Sequence, residues 1–109
     1  MVNHIEVDGR SVAFTETGAG PALVLVNGFA ATANDWDPGF VARLAESNRL
    51  ILVEHRGMGV SGDDGRPFSI ADLAADVGAV IASQTPGSAA VLGWSMGGYV
   101  AQQLAVSNP

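Results

Sequence analysis

Ala89-Ala90-Val91-Leu92-Gly93-Trp94-Ser95-Met96-Gly97-Gly98 passes from an uninterrupted apolar run into a serine flanked by glycines. It reads as a strand, Ala89–Gly93, that turns sharply at Ser95 into a helix over Met96–Val106, with Tyr99, Val100 and Leu104 facing a sheet. Gly93 and Gly97 have no Cβ to collide where a strand reverses into a helix, so the backbone at Ser95 can take up a strained conformation that projects Oγ outward. The first turn of the helix adds unpaired N–H groups and a positive dipole end, which favour a negative oxygen forming beside the serine. Ser95 is therefore a candidate nucleophile. The competing reading is a serine that merely caps the last helix, and the strand before it and helix after it favour the nucleophile.

Outward from this stretch, the chain alternates strands and helices. Asn3–Val7 and Ser11–Thr17 flank Asp8-Gly9-Arg10, and Asp-Gly between alternating apolar residues predicts a hairpin. After the turn cluster Thr17-Gly18-Ala19-Gly20-Pro21, the run Ala22–Val26 predicts a buried parallel strand. A crossover helix is expected over Asp35–Glu46, with Trp36, Phe40, Val41 and Leu44 on one face and Asp37-Pro38 as a cap and first-turn proline. Leu50–Val53 predicts a further strand, followed by a glycine-rich, acidic loop from Glu54 to Pro67. Ser69-Ile70-Ala71-Asp72 resembles a capping box, and Ile70, Leu73, Ala74, Val77, Val80 and Ile81 recur at helical spacing. The fold class is α/β: an antiparallel hairpin, then parallel strands joined by right-handed crossovers, with three helices packed on the sheet. No repeat, low-complexity segment or linker divides residues 1–109 into more than one domain.

Composition narrows the functional classes. Of 109 residues, 48% are hydrophobic and 15% charged, with five basic against eleven acidic side chains. The net charge of −6 carries no basic footprint for nucleic acid or an anionic membrane. Cysteine is absent, which removes disulfides, thiolate catalysis and cysteine-based zinc sites and leaves metal binding with little support; no cofactor is expected either. The amino terminus has no basic region followed by an apolar core, and no segment is long enough to span a membrane, which predicts a cytoplasmic protein.

In a parallel sheet, ligands sit at the carboxyl ends of the strands, where Asn27-Gly28-Phe29, Glu54-His55-Arg56-Gly57 and Trp94-Ser95-Met96 all fall. Gly28 lets the main chain approach a ligand, so the N–H groups of Phe29 and Met96 are the expected oxyanion donors. Otherwise Gly28 would be only a strand-ending turn and Phe29 only a core aromatic. The Glu54–Gly62 loop reads as mainly structural, its Arg56 and Glu54 bonding backbone groups or each other. His55 is read as a solvated loop residue rather than a base, and His4 lies at the amino end.

Taken together, Asn27-Gly28-Phe29, Trp36, Glu54-His55-Arg56-Gly57-Met58-Gly59-Val60-Ser61 and Gly93-Trp94-Ser95-Met96-Gly97-Gly98 resemble the amino-terminal half of the α/β-hydrolase superfamily. The resemblance is greatest to small carboxylesterases and to cofactor-free haloperoxidases and perhydrolases, and it covers essentially the whole chain. That family usually has histidine where Asn27 stands and aspartate where Glu54 stands. Asn27 can still orient the oxyanion loop, and Glu54 keeps the carboxylate. The resemblance implies a serine hydrolase acting on small ester-like substrates through an acyl-serine intermediate. The triad order of Ser, then Asp or Glu, then His implies that both partners of Ser95 lie beyond Pro109. A rival expectation is a non-catalytic module that pairs, with itself or another chain, through the serine strand at the sheet edge. A nucleotide site is set aside, because no Gly-x-Gly-x-x-Gly follows the first parallel strand and no Gly-Lys-Ser/Thr occurs.

Overall fold

A computed structural model describes residues 2–59, 61–63 and 65–108. The hairpin comprises β1 (Val2–Val7) and β2 (Arg10–Thr17), paired in register from Val2 opposite Thr15 to Val7 opposite Arg10. Asp8 and Gly9 close it with φ of 50° and 79°, the two positive values that a tight two-residue turn needs to match the twist of its strands. Then follow β3 (Ala22–Val26), a 3₁₀ turn (Ala33–Asp35), α1 (Pro38–Ala45), β4 (Arg49–Val53), α2 (Ile70–Gln84), β5 (Ala90–Gly93) and α3 (Met96–Ser107). The strands lie in the order β1-β2-β4-β3-β5, with β2 antiparallel to β4, and with β4 and β5 flanking β3 in parallel.

Apolar residues fill both faces of this sheet because the side chains of a strand alternate. Val24, Val26, Ile51 and Val53 point to one face, against Leu73, Val77 and Val80 of α2 and Val100 and Leu104 of α3. Leu25, Leu50 and Leu52 point to the other, against Trp36, Val41 and Leu44. The chain steps one way across the sheet from β3 to β4 and the opposite way from β4 to β5, so right-handed crossovers put α1 and α2 on opposite faces. The carboxyl ends of β3 and β5 thus adjoin at a point where the chain leaves to opposite sides, the usual place for a ligand crevice.

Three expectations need correction. The segment Asp35–Glu46 is not one helix: Asp37 has φ −58° and ψ 125°, because the ring of Pro38 disfavours helical backbone in the residue before it. The Asp37 side chain then caps α1 by accepting a hydrogen bond from Phe40 N–H at 2.9 Å. Phe40 stacks on Trp36 with centroids 6.2 Å apart but is 41% exposed, so it does not share the buried face. Tyr99 is 67% exposed, because Gly97, Val100 and Leu104 form the buried stripe of α3 and Tyr99 falls outside it. The capping box is present as expected, with Ser69 Oγ accepting from Asp72 N–H and Asp72 accepting from Ser69 N–H. Among the described residues, no helix is long and apolar enough to cross a membrane.

Candidate active site

Ser95 stands between β5 and α3 with φ 55° and ψ −122°, in a region that L-residues rarely occupy. Two glycines make the turn possible: a Cβ on Gly93 would overlap the Gly97 carbonyl, and one on Gly97 would overlap the Val26 carbonyl. Trp94 N–H donates to Val26 O at 3.0 Å, Gly97 N–H to Trp94 O at 2.9 Å and Gly98 N–H to Ser95 O at 2.8 Å, which ties the turn to the end of β3. Ser95 is exposed and its side chain makes no capping hydrogen bond. Its hydroxyl remains available at the N-terminus of a twelve-residue helix.

The loop after β3 lies directly against this turn. A Cβ built on Gly28 would sit 3.3 Å from Ser95 Cβ and 3.7 Å from Ser95 Oγ, a tight fit that glycine avoids. Asn27 is buried; its Oδ1 accepts from Gly28 N–H at 2.8 Å and its Nδ2 donates to Thr32 O at 3.3 Å. Asn27 therefore braces its own loop. Phe29 N–H and Met96 N–H donate to no acceptor among the described residues. Phe29, Trp94 and Tyr99 expose 71%, 67% and 67% of their surface. Asn27, Gly28, Phe29, Gly93, Trp94, Ser95, Met96 and Gly97 thus gather at the adjoining ends of β3 and β5.

The loop after β4 supports this group from beneath. Ser61 Oγ donates to Glu54 O at 2.8 Å and accepts from Ala13 N–H at 2.8 Å, sewing the loop to β2 where the ladder ends. Glu54 accepts from Ala33 N–H at 3.1 Å, and Gly59, at φ 56°, leaves the space its carboxylate fills. Val60 lies outside the described residues. Contrary to the expectation of a solvated residue, His55 is 1% exposed, with Nε2 3.1 Å from Asn27 O. Burial pushes its pKa down from 6.5, partly offset by the Asn27 carbonyl and by Asp76.

A buried ion cluster is absent from the expectations drawn from sequence. Asp76, on the inner face of α2, accepts from Arg10 at 3.0 and 3.1 Å and from Arg56 at 3.1 and 3.2 Å. Its one signal in the sequence is an acidic residue within the apolar stripe Leu73, Ala74, Val77 and Val80. Arg56 also lies over the Phe68 ring, 5.6 Å from its centroid. Among the described residues, no group of three or more His, Cys, Asp or Glu side chains is placed to hold a metal.

Comparison with known proteins agrees with this architecture. Two curated relatives are pimeloyl-[acyl-carrier protein] methyl ester esterases. The one from Aeromonas hydrophila is 40% identical over 100 residues, 91% of this chain and 37% of its own length. The one from Yersinia pestis is 45% identical over 87 residues, 80% of this chain and 31% of its own length. The chain thus spans about a third of the curated relatives it matches. Among solved structures, a hydrolase from Pseudomonas aeruginosa superposes with a TM-score of 0.92 at 32% identity, covering 99% of this chain and 42% of that one. An esterase from Rhodococcus sp. ECU1013 gives 0.88 at 34% identity, covering 98% and 41%. The profile described as the alpha/beta hydrolase family matches residues 23–108, a span that holds the Gly28 loop, the Ser61 loop and the Ser95 turn. With sequence, topology and turn geometry in agreement, this chain belongs to the α/β hydrolase family.

Proposed function

We propose that the protein containing this chain is a carboxylic-ester hydrolase with Ser95 as its nucleophile. Ser95 Oγ attacks the ester carbonyl and gives up its proton to a base. The Phe29 and Met96 N–H groups donate to the resulting tetrahedral oxyanion. Collapse expels the alcohol, which takes up the proton, and leaves an acyl-serine that water hydrolyses to the acid and free serine. The observation that carries this reading is the uncommitted hydroxyl of Ser95, held in a strained backbone conformation within contact distance of the Gly28 loop. Exposed Phe29, Trp94 and Tyr99 around it favour an apolar portion in the substrate. The esterase names of the relatives point to the same reaction class.

His55 is bonded to Asn27 O, and His4 lies on β1, at the far edge of the sheet from β5. The base and its orienting acid are accordingly assigned to sequence after Pro109, in the family's chain order. A fluorophosphonate probe applied to the full-length protein should label Ser95 and fail to label Ser95→Ala. Absence of label on Ser95 in a folded, full-length protein would sink the proposal. A second reading, a non-catalytic module, is favoured by one feature: β5 has a hydrogen-bonded neighbour only on its β3 side among the described residues.

A further inference from the structure

The N–H assigned to the oxyanion belongs to Phe29, whose side chain is 71% exposed and so does little to anchor it. Its backbone neighbours are held instead. His55 Nε2 lies 3.1 Å from Asn27 O, and because a carbonyl oxygen only accepts, that nitrogen carries the proton. Gly28 N–H donates to Asn27 Oδ1 at 2.8 Å, so the Asn27–Gly28 peptide group is fixed at both its oxygen and its nitrogen. On the other side of Phe29, Ala30 N–H donates to Met58 Sδ at 3.2 Å, and Ala30 has φ 61°, a left-handed conformation uncommon for alanine. Farther along the same loop, Ala33 N–H donates to Glu54 Oε2 at 3.1 Å.

We propose that Glu54, His55 and Met58 form a clamp that orients the Phe29 N–H, with His55 as its central positioning residue. This rests on the reading of Ser95 and Phe29 given above. The clamp is itself firmly mounted. Met58 N–H donates to His55 O at 3.0 Å, Ser61 Oγ holds Glu54 O at 2.8 Å, and Arg56, between His55 and Met58, is paired to buried Asp76 at 3.1 Å. His55 Nδ1 is buried without a hydrogen-bond partner among the described residues. An unpaired buried polar atom is costly and an apolar side chain would avoid that cost, so the histidine is explained by what Nε2 does. Burial also favours the neutral ring, the form in which Nε2 is its single donor.

The test uses the full-length protein with His55→Leu, His55→Gln and Met58→Leu. Glutamine can return a donor to Asn27 O, whereas leucine cannot; Met58→Leu keeps the bulk but removes the acceptor for Ala30 N–H. In His55→Leu, backbone ¹⁵N order parameters at Gly28, Phe29 and Ala30 should fall, while those of α3 stay at wild-type values. On a p-nitrophenyl ester, kcat should drop about 10- to 100-fold, less than complete loss of an oxyanion donor, with KM within about twofold. His55→Gln should recover most of both losses, and Met58→Leu should show a smaller version of them. If His55→Leu cannot be folded, Met58→Leu decides by the same measurements. Unchanged order in the loop of a leucine variant, or a glutamine variant no better than leucine, would overturn the clamp. A wild-type protein with no ester turnover would instead refute the hydrolase reading, and the order parameters would still decide the clamp.

Discussion

At Ser95 the backbone conformation and the chemistry make opposing demands. A non-glycine residue at φ 55° and ψ −122° carries strain of about 1–3 kcal/mol. Ser95→Gly relieves it at an entropic cost of about 0.5–1 kcal/mol, so this variant should be more stable than wild type by about 1 kcal/mol. Ser95→Ala keeps the Cβ and the strain, and should show no such gain. Urea denaturation of the two variants separates strain relief from loss of the hydroxyl, and a glycine variant no more stable than alanine would remove strain from the account. His55 makes a different demand. Its folded pKa lies below the unfolded value of 6.5 because burial disfavours the imidazolium. Between those two values the unfolded chain binds more protons than the folded one, so this contribution to stability is present above pH 6.5 and declines as pH falls below it. The urea midpoint should therefore decrease from about pH 7.5 to about pH 5.5, and His55→Gln should flatten the decrease. Asp72 does not confuse the comparison: hydrogen bonds from Ser69 lower its pKa from 3.8, so its contribution is lost only in stronger acid.

Among the elements, α2 is bound to the rest of the fold by charge as well as by apolar contact. Asp76, Arg10 and Arg56 are all buried, and one carboxylate serves guanidiniums from β2 and from the loop after β4. Removing one member of such a buried group typically costs about 3–5 kcal/mol, because the charges left behind keep their desolvation penalty. Asp76→Asn should show a loss of this order in chemical denaturation, and a loss under about 1 kcal/mol would mean the cluster adds little beyond its packing. The elements themselves are legible wherever a local rule and the tertiary structure agree: Asp8-Gly9 for the hairpin, Ser69 and Asp72 for the start of α2, and apolar runs for β3, β4 and β5. Sequence is less informative where neighbours have to be known. Asp37-Pro38 signals the cap and first turn of α1, but the apolar pattern that continues across it extends the expected helix back to Asp35. Tyr99 has the character of an internal residue, although helical phase places it off the stripe of Val100 and Leu104. Asp76 and His55 give little sign of their burial, because a polar side chain reveals it only once its partners are in place. The glycines at 28, 93 and 97 mark the candidate site clearly, since close backbone approach leaves a trace in sequence that a hydrogen bond does not.

Across the described residues as a whole, the strand order that builds the crevice also puts β5 at an edge of the sheet. β3 lies between β4 and β5, so the Gly28 loop and the Ser95 turn meet although β4 and α2 intervene between them in the chain. The same order puts β5 outermost, with a neighbour on its β3 side only among the described residues. Trp94 N–H donates to Val26 O, and the backbone groups of a strand point alternately to its two sides, so those of Val91 and Gly93 face away from β3. Val91 and Leu92 are also only half-buried, whereas their register partners Val24 and Leu25 are fully buried. An apolar edge with outward backbone groups is a template for another strand. Residues 1–109 prepared alone should therefore self-associate, with a weight-average mass in sedimentation equilibrium that rises with concentration. Val91→Pro tests the route, because proline has no N–H to give an incoming strand and the bond it removes is not one that β5 makes to β3. That variant should keep the circular dichroism of the parent and shift the association to higher concentration. Should the parent stay monomeric throughout, or the proline variant associate just as strongly, the β5 edge is inert and the pairing module loses the feature that favours it.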